Sequence, residues 1–278
     1  MTLRGACAYP KGHSCDVAVS FSARLRRSDR KCTVKEILYT GKKKKGEAMS
    51  KTFAPKVFIQ LFVFIILVPF LPILITWDWG WLEAWLYALL GIFGFFISRI
   101  LAAKRHPDLL AERAKFAEHD DIKPWDKIFS RLVELGGAVM PLVAGFDMRE
   151  GWSDFQFGWG WKSAALFAIL LGYAIGTWAL MENRFFSGVV RIQKERGHHV
   201  VDGGPYGWIR HPGYLGGLLA AFGTPIILDS LWTFGVVALY TAILILRTAL
   251  EDRTLQADLD GYAAYAQRTR YRLFPGIW

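Results

Sequence analysis

Gly203-Gly-Pro-Tyr-Gly-Trp-Ile-Arg-His-Pro-Gly-Tyr-Leu-Gly-Gly217 is the stretch from which the rest of this chain is best read. Glycine frees the backbone and proline fixes it. Here both are concentrated at the entrance of an apolar segment that runs from Tyr214 to Leu228. Arg210 and His211 stand at that same entrance. Ionisable side chains at the edge of a bilayer are costly unless they have a partner or a task. The stretch therefore predicts a polar pocket built where an apolar helix meets a membrane surface.

Moving outward from it, the chain reads as a membrane protein. Of its 278 residues 53% are hydrophobic, and 12 Trp and 20 Phe suit lipid-facing surfaces and interfacial belts. Six apolar segments are visible: Val57–Ile75, Ala84–Ile97 (extended to Leu101), Leu132–Phe146, Ser163–Met181, Pro212–Leu228 and Leu231–Leu246. Several are shorter than the ~20 residues that span a bilayer, but aromatic flanks complete the crossing. The last two are separated only by Asp229-Ser230, which predicts a tight antiparallel hairpin. The fold class is thus all-α: a polytopic bundle of about six transmembrane helices with interfacial and C-terminal amphipathic helices.

The net charge of +10 is explained by position along the chain. With six crossings and both termini in the cytosol, only Arg149 and Lys162 of the 34 Lys and Arg fall on the far side, as the positive-inside rule requires. The aromatic and apolar content argues against nucleic acid as a partner. Residues 1–50 form a basic, weakly apolar extension with Arg24-Leu-Arg-Arg27 and Lys42-Lys-Lys-Lys45. Its composition predicts disorder, with attraction to anionic headgroups as the functional alternative; Met49 would open a shorter protein that begins with the membrane domain, 51–278. Cys7, Cys15 and Cys32 all lie in the extension and have no metal-ligand spacing. Residues 104–128 mix charges with Leu109, Leu110 and Phe116 and predict a helix lying at the interface. Glu251–Arg270 carries Leu255, Leu259, Tyr262 and Ala266 as one stripe, predicting a helix that continues out of the last crossing.

Polar residues cluster in two places. Arg191–Trp208 contains His198-His199 followed by Val200-Val201 and, taken alone, is a solvated loop. Two adjacent histidines without Cys, Asp or a third His at suitable spacing do not make a metal site, and His106 and His119 belong to another loop. The second cluster is Arg247-Thr-Ala-Leu-Glu251-Asp252. Arg247 and Glu251 share a helix face, and as a plain i,i+4 ion pair they would contribute a few tenths of a kcal/mol. The tight hairpin, however, brings them to the depth of Arg210–Tyr214, so that two distant clusters converge. Glu134, near the start of the third crossing, reads as a structural acid.

The order His198-x-Val-Val, Gly204-Pro-Tyr206, Arg210-His-Pro-Gly-Tyr214 and Arg247-x-x-x-Glu251 resembles the isoprenylcysteine carboxyl methyltransferase family, whose superfamily includes phospholipid methyltransferases. The resemblance covers residues 183–265. Arg105-His-Pro107 shows that Arg-His-Pro alone is not specific. The resemblance implies an integral membrane enzyme that transfers methyl groups from S-adenosylmethionine. Gln193, His198, His199, Val200 and Val201 would line the cofactor, partly through backbone groups. Gly204, Pro205, Tyr206, His211, Pro212, Gly213 and Tyr214 would wrap its adenosine and methionine portions. Glu251 would hold a polar group of the cofactor, and Arg247 would face the methyl acceptor as the catalytic residue. No metal is implied. The acceptor would be a lipophilic or prenylated molecule, such as a prenylcysteine carboxylate, reaching the site from the membrane lipids.

The residues leave other readings open. A phospholipid N-methyltransferase shares the resemblance. A nicotinamide-dependent (NADPH) membrane reductase of the steroid type shares an Arg-His-Pro-x-Tyr run, but Tyr214-Leu-Gly-Gly217 lacks the acid that such sites carry next. A non-catalytic scaffold would have no need for the spacing of Arg210–Tyr214 with Arg247 and Glu251. The chain has no Gly-x-Gly-x-x-Gly loop of the soluble nucleotide-binding kind.

Overall fold

In the computed structural model, which describes residues 62–114 and 119–278, eight helices and no strands are present. The basic extension, its cysteines, the start of the first apolar segment and Phe116 lie outside the described residues. The helices are α1 (Val63–Thr76), α2 (Leu82–Arg105), α3 (Leu109–Ala114), α4 (Asp126–Glu150), α5 (Trp159–Glu182), α6 (Pro212–Ile227), α7 (Leu231–Asp258) and α8 (Tyr262–Arg268).

Four of these, α2, α4, α5 and α7, are long and apolar enough to cross a bilayer by themselves. The expected first and fifth segments form the shorter helices α1 and α6. Proline accounts for the irregularity of α1. Pro69 and Pro72 supply no N–H, and the helix passes from a π turn (Val63–Leu67) through a 3-10 turn (Val68–Phe70) into a last α-helical stretch. The outer surface is apolar in the way a lipid solvent demands: Phe93, Phe96, Ile97, Ile100, Phe167, Leu239 and Leu246 are all exposed. Trp77, Trp79, Trp152, Trp159, Trp161 and Trp232 are exposed around one end of the bundle, as an interfacial belt would be. The molecule is an integral membrane helical bundle.

The closest helix contact is between α5 and α6, and glycine makes it. A Cβ placed on Gly216 would lie 2.5 Å from the carbonyl oxygen of Gly172 and 3.0 Å from the amide nitrogen of Gly176. The two backbones touch, as small residues four apart allow between membrane helices. Two turns further on, a Cβ on Gly223 would meet the carbonyl of Ala165 at 2.9 Å.

The α6–α7 turn is as tight as Asp229-Ser230 predicts. Ser230 caps α7, its Oγ accepting from the amide of Thr233 at 3.2 Å. Asp229 takes a positive φ of 51°. Its carboxylate accepts from Lys162 Nζ at 2.6 Å and from the Phe157 amide at 2.7 Å. Lys162 also donates to Glu83 at 2.6 Å. It is therefore a buried cation that ties α2, α5 and the hairpin turn together, where the sequence showed only one of two far-side charges. Burial without partners would be costly, and the two carboxylates supply them.

At the other end, α7 runs past Glu251 and Asp252 to Asp258. The helix then breaks at Gly261, whose φ is 81°, and α8 follows. The expected single C-terminal helix is thus two. The stripe Leu255, Leu259, Tyr262 and Ala266 nevertheless packs as one cluster with Tyr265, Ile192 and Val200. The interfacial segment forms α3, whose buried Leu109 packs with Ala102 of α2 and Leu180 of α5. These contacts bring α2, α3, α5, α7 and the loop from 183 to 211 to one end of the bundle.

Candidate active site

A cavity opens to solvent at that end. Its walls come from the loop 183–201, the turn at Tyr206, the first turn of α6, the polar end of α7 and α8.

Of the residues expected to form a site, His198, His199, Val200, Val201, Tyr206, His211, Gly213, Tyr214, Arg247 and Glu251 line this one cavity. Gln193, Gly204, Pro205 and Pro212 stand behind its walls. Gln193 is buried and shapes the loop: its Nε2 donates to the Phe185 carbonyl at 2.7 Å, its Oε1 accepts from Arg196, and its amide donates to His198 Nδ1 at 3.3 Å. Gly204 has a φ of 55°, and a Cβ there would lie 2.9 Å from Trp178 Nε1. The glycine lets the turn press onto the end of α5. Gly213 serves the same need on the cavity side, where a Cβ would lie 2.6 Å from the Phe186 ring.

His198 accepts a backbone N–H at Nδ1, so its ring is neutral with the proton on Nε2. Burial, reinforced by His199, Arg191 and Arg196, pulls its pKa down to about 4. The ring lies against Phe185 with centroids 4.5 Å apart. Tyr206 is buried and accepts from Asn183 Nδ2 at 3.3 Å; its phenol is pushed upward chiefly by burial. The loop itself is held from below by Arg191, which is buried and pairs with Glu112 (2.5 Å), Asp121 (2.9 Å) and Glu195 (2.5 Å). Arg196 and Arg184 meet at Asp108; these bonds outweigh burial and bring that carboxyl down to about 2.

Arg247 and Glu251 do not pair with each other. Arg247 donates to Asp126 from Nε (2.7 Å to Oδ1) and from Nη2 (3.1 Å to Oδ2), and Nη2 also reaches the Gly188 carbonyl at 2.8 Å. Asp126 in turn accepts from the Val190 amide at 2.6 Å, so one carboxylate orients both the arginine and a cavity wall. Glu251 accepts from Tyr214 Oη at 2.5 Å. Tyr214 lies under the Arg247 guanidinium, 5.5 Å from its ring centre, and stacks on His211 at 5.7 Å with the rings almost parallel. The expected i,i+4 ion pair gives way because a fully buried carboxylate competes for the same guanidinium.

Arg210 is held outside the chemistry of the cavity by Asp252, a residue that the sequence did not single out on its own. Asp252 is fully buried and accepts from Arg210 Nη2 (3.1 Å), Arg272 Nε (2.9 Å) and Tyr262 Oη (3.1 Å), with His211 Nε2 at 3.5 Å. The backbone of the motif is clamped as well: the amides of Arg210 and His211 donate to the carbonyls of Tyr271 and Arg272. The Arg-His pair is therefore a brace between the start of α6 and the C-terminal segment. His106 contacts the Met181 carbonyl, His119 pairs with Glu112, and Glu134 is exposed on α4; none of the three lines the cavity. Among the described residues no group of three His, Cys, Asp or Glu is arranged to hold a metal.

Phe185, Phe186, Tyr262 and Tyr265 also line the cavity and were not anticipated as site residues. Phe185-Phe186 sits in a loop without periodicity, and the two tyrosines read equally well as an amphipathic stripe. Asp126 carried no signal at all, since an acid in the first turn of a helix is common.

The arrangement is a cavity with aromatic walls, a neutral imidazole at His198, one carboxylate turned inward and guanidinium groups buttressed by buried acids, at the end of a membrane bundle. No curated protein matches the chain. Residues 164–257, from within α5 to the last turn of α7, match the isoprenylcysteine carboxyl methyltransferase (ICMT) family, which makes the part of the chain that carries the cavity that of a membrane methyltransferase.

Proposed function

We propose that the cavity binds S-adenosylmethionine and that the chain methylates a lipophilic acceptor, foremost a carboxylate of the prenylcysteine kind. The observation that carries this reading is the convergence of His198–Val201, Tyr206 and His211–Tyr214 with Arg247 and Glu251 around one cavity. The lining suits the cofactor. Glu251 offers a carboxylate to a cationic group, its remaining oxygen having no hydrogen bond among the described residues. Phe185, Tyr206, Tyr262 and Tyr265 offer flat faces to a purine. Neutral His198 adds no positive charge beside a positively charged sulfur.

When bound, S-adenosylmethionine supplies an electrophilic methyl group on a sulfonium, which an acceptor oxygen or nitrogen takes by in-line displacement. Such a reaction depends on alignment and on exclusion of water. The chain's residues serve those needs. Tyr214 fixes the Glu251 carboxylate. Asp126 locks the Arg247 side chain through Nε and Nη2, and Nη1, without a hydrogen bond among the described residues, is the donor left to orient an acceptor. The stack of His211 on Tyr214 closes the wall between them.

Radiolabelled methyl S-adenosylmethionine, incubated with the purified protein in vesicles and with an S-farnesylcysteine acid, tests the reading. Labelled methyl ester is expected. Label in phosphatidylethanolamine instead would move the activity to phospholipid nitrogen, and the absence of both cofactor binding and labelled lipid would overturn it.

A further inference from the structure

Among the described residues, two arginines beside the cavity have no acidic partner. Arg99, in the next-to-last turns of α2, makes no ion pair or side-chain hydrogen bond among the described residues, and its guanidinium lies 4.8 Å from the centre of the Phe95 ring. Arg113, on α3, makes one hydrogen bond, from Nη1 to the Phe186 carbonyl at 3.2 Å, and lies 5.4 Å from the centre of the Phe186 ring. Both are half-buried. The other buried or half-buried arginines of this end are paired: Arg196 with Asp108, Arg191 with three acids, Arg210 and Arg272 with Asp252, Arg247 with Asp126.

Phe186 is the link to the site. It lines the cavity, touches Gly213 and carries Arg113 on its edge. Leu109 of α3 packs on Ala102 of α2, three residues from Arg99. The charges of Arg99 and Arg247 act on Arg113 and, after burial, help pull it down to about 9, still protonated at neutral pH. Three guanidiniums thus share a neighbourhood whose acids, Asp126 and Glu251, are bonded to Arg247 and Tyr214 rather than to Arg99 or Arg113. Concentrating like charge in a half-buried site is unfavourable unless an anion joins it. Guanidinium groups without a carboxylate partner, flanked by exposed Phe96, Ile97 and Ile100 on α2, match an oxyanion attached to an apolar chain.

We infer that Arg99 and Arg113 form an anion subsite for the acceptor on the lipid-facing side of the cavity, next to Arg247. This rests on the methyltransferase reading for its biological meaning, but the binding event does not. The subsite takes a carboxylate or phosphate oxyanion carried by a lipophilic molecule. It assigns selection of a negatively charged acceptor to residues of α2 and α3, outside the stretch 164–257.

The test measures binding to the full chain in neutral phosphatidylcholine nanodiscs, apart from turnover. The probes are an S-farnesylcysteine acid, its carboxamide, and farnesyl phosphate. Arg113→Gln and Arg99→Gln are each expected to weaken the acid about tenfold or more, the worth of one charge-assisted hydrogen bond, while leaving the carboxamide unchanged. Arg113→Lys should keep most of the preference for the acid. S-adenosylmethionine binding by each variant shows that the cavity is intact. Equal weakening of acid and carboxamide, or no weakening of acid, carboxamide or farnesyl phosphate, overturns the subsite. Loss with farnesyl phosphate but not with the acid supports it as a phosphate site. A differential loss in a protein that transfers no methyl group would leave the subsite standing and refute only the enzymatic reading.

Discussion

Arg247 and Asp126, 121 positions apart, form a buried two-pronged ion pair, with Nε to Oδ1 at 2.7 Å and Nη2 to Oδ2 at 3.1 Å. Asp126 is fully buried, so removing it leaves a guanidinium stranded. Asp126→Ala is expected to destabilise the bundle by about 3–5 kcal/mol, the usual cost of breaking a buried pair from one side. The double variant Asp126→Ala, Arg247→Met should recover much of that loss, because no uncompensated charge remains. Thermal unfolding in detergent checks both. A double variant less stable than Asp126→Ala alone would show that the pair acts through something other than mutual neutralisation.

Glu251 and Asp252 are neighbours with different work. Glu251 takes one hydrogen bond, from Tyr214, and faces the cavity. Asp252 gathers Arg210, Arg272 and Tyr262, and also accepts from Gln256 at 2.8 Å. Glu251→Gln should therefore unfold within about 1 kcal/mol of the parent, as expected for a half-buried polar change, yet bind S-adenosylmethionine at least tenfold more weakly. Asp252→Asn should lower stability several times more. Calorimetric titration and thermal unfolding separate the two effects. Unchanged cofactor affinity in Glu251→Gln would remove that carboxylate from the site.

These neighbours also show what could be read in advance. Periodicity placed the helices, because a lipid-facing surface leaves an uninterrupted apolar run. The convergence of Arg210–Tyr214 with Arg247–Glu251 followed from a two-residue turn, which leaves little freedom in how the flanking helices align. The partners were hidden. Asp126 and Asp252 are single acids whose roles come from what folding brings to them, and neither spacing nor composition records that. The break at Gly261 was hidden for a related reason, since the apolar stripe continues through it and only the positive φ marks the end of the helix. The role of Gly172 was invisible too, because its value lies in the backbone of another helix.

That helix contact gives a direct test. A methyl group on Gly216 would fall 2.5 Å from the Gly172 carbonyl oxygen, and neither partner is a flexible side-chain end that could yield. Gly216→Ala is expected to force α5 and α6 apart and cost about 1–3 kcal/mol, as overpacking does. Gly235→Ala is the control, since a Cβ there meets nothing within 4 Å. It should be neutral or slightly stabilising, because alanine favours helix more than glycine does. Similar unfolding midpoints for the two variants would show that the backbone contact is not a determinant of stability.

His198 yields a prediction in pH. Its pKa falls from the ordinary 6.5 to about 4 in the folded chain, through burial first and then the charges of His199, Arg191 and Arg196. The unfolded chain therefore binds the proton more readily. The stability that this ring contributes is complete above pH 6.5 and is lost as pH falls from 6.5 toward 4. For a partly exposed ring the loss should be about 1–2 kcal/mol after solvent screening. His198→Asn keeps a polar group at Cγ but cannot take up the proton, so its unfolding midpoint should fall less steeply across that window. Above pH 6.5 the parent ring stays neutral in both states, and the two proteins should then show parallel curves. Identical slopes between pH 6.5 and 4 would mean that the ring is not held neutral by its surroundings, and the uncharged wall it gives the cavity would have to be abandoned.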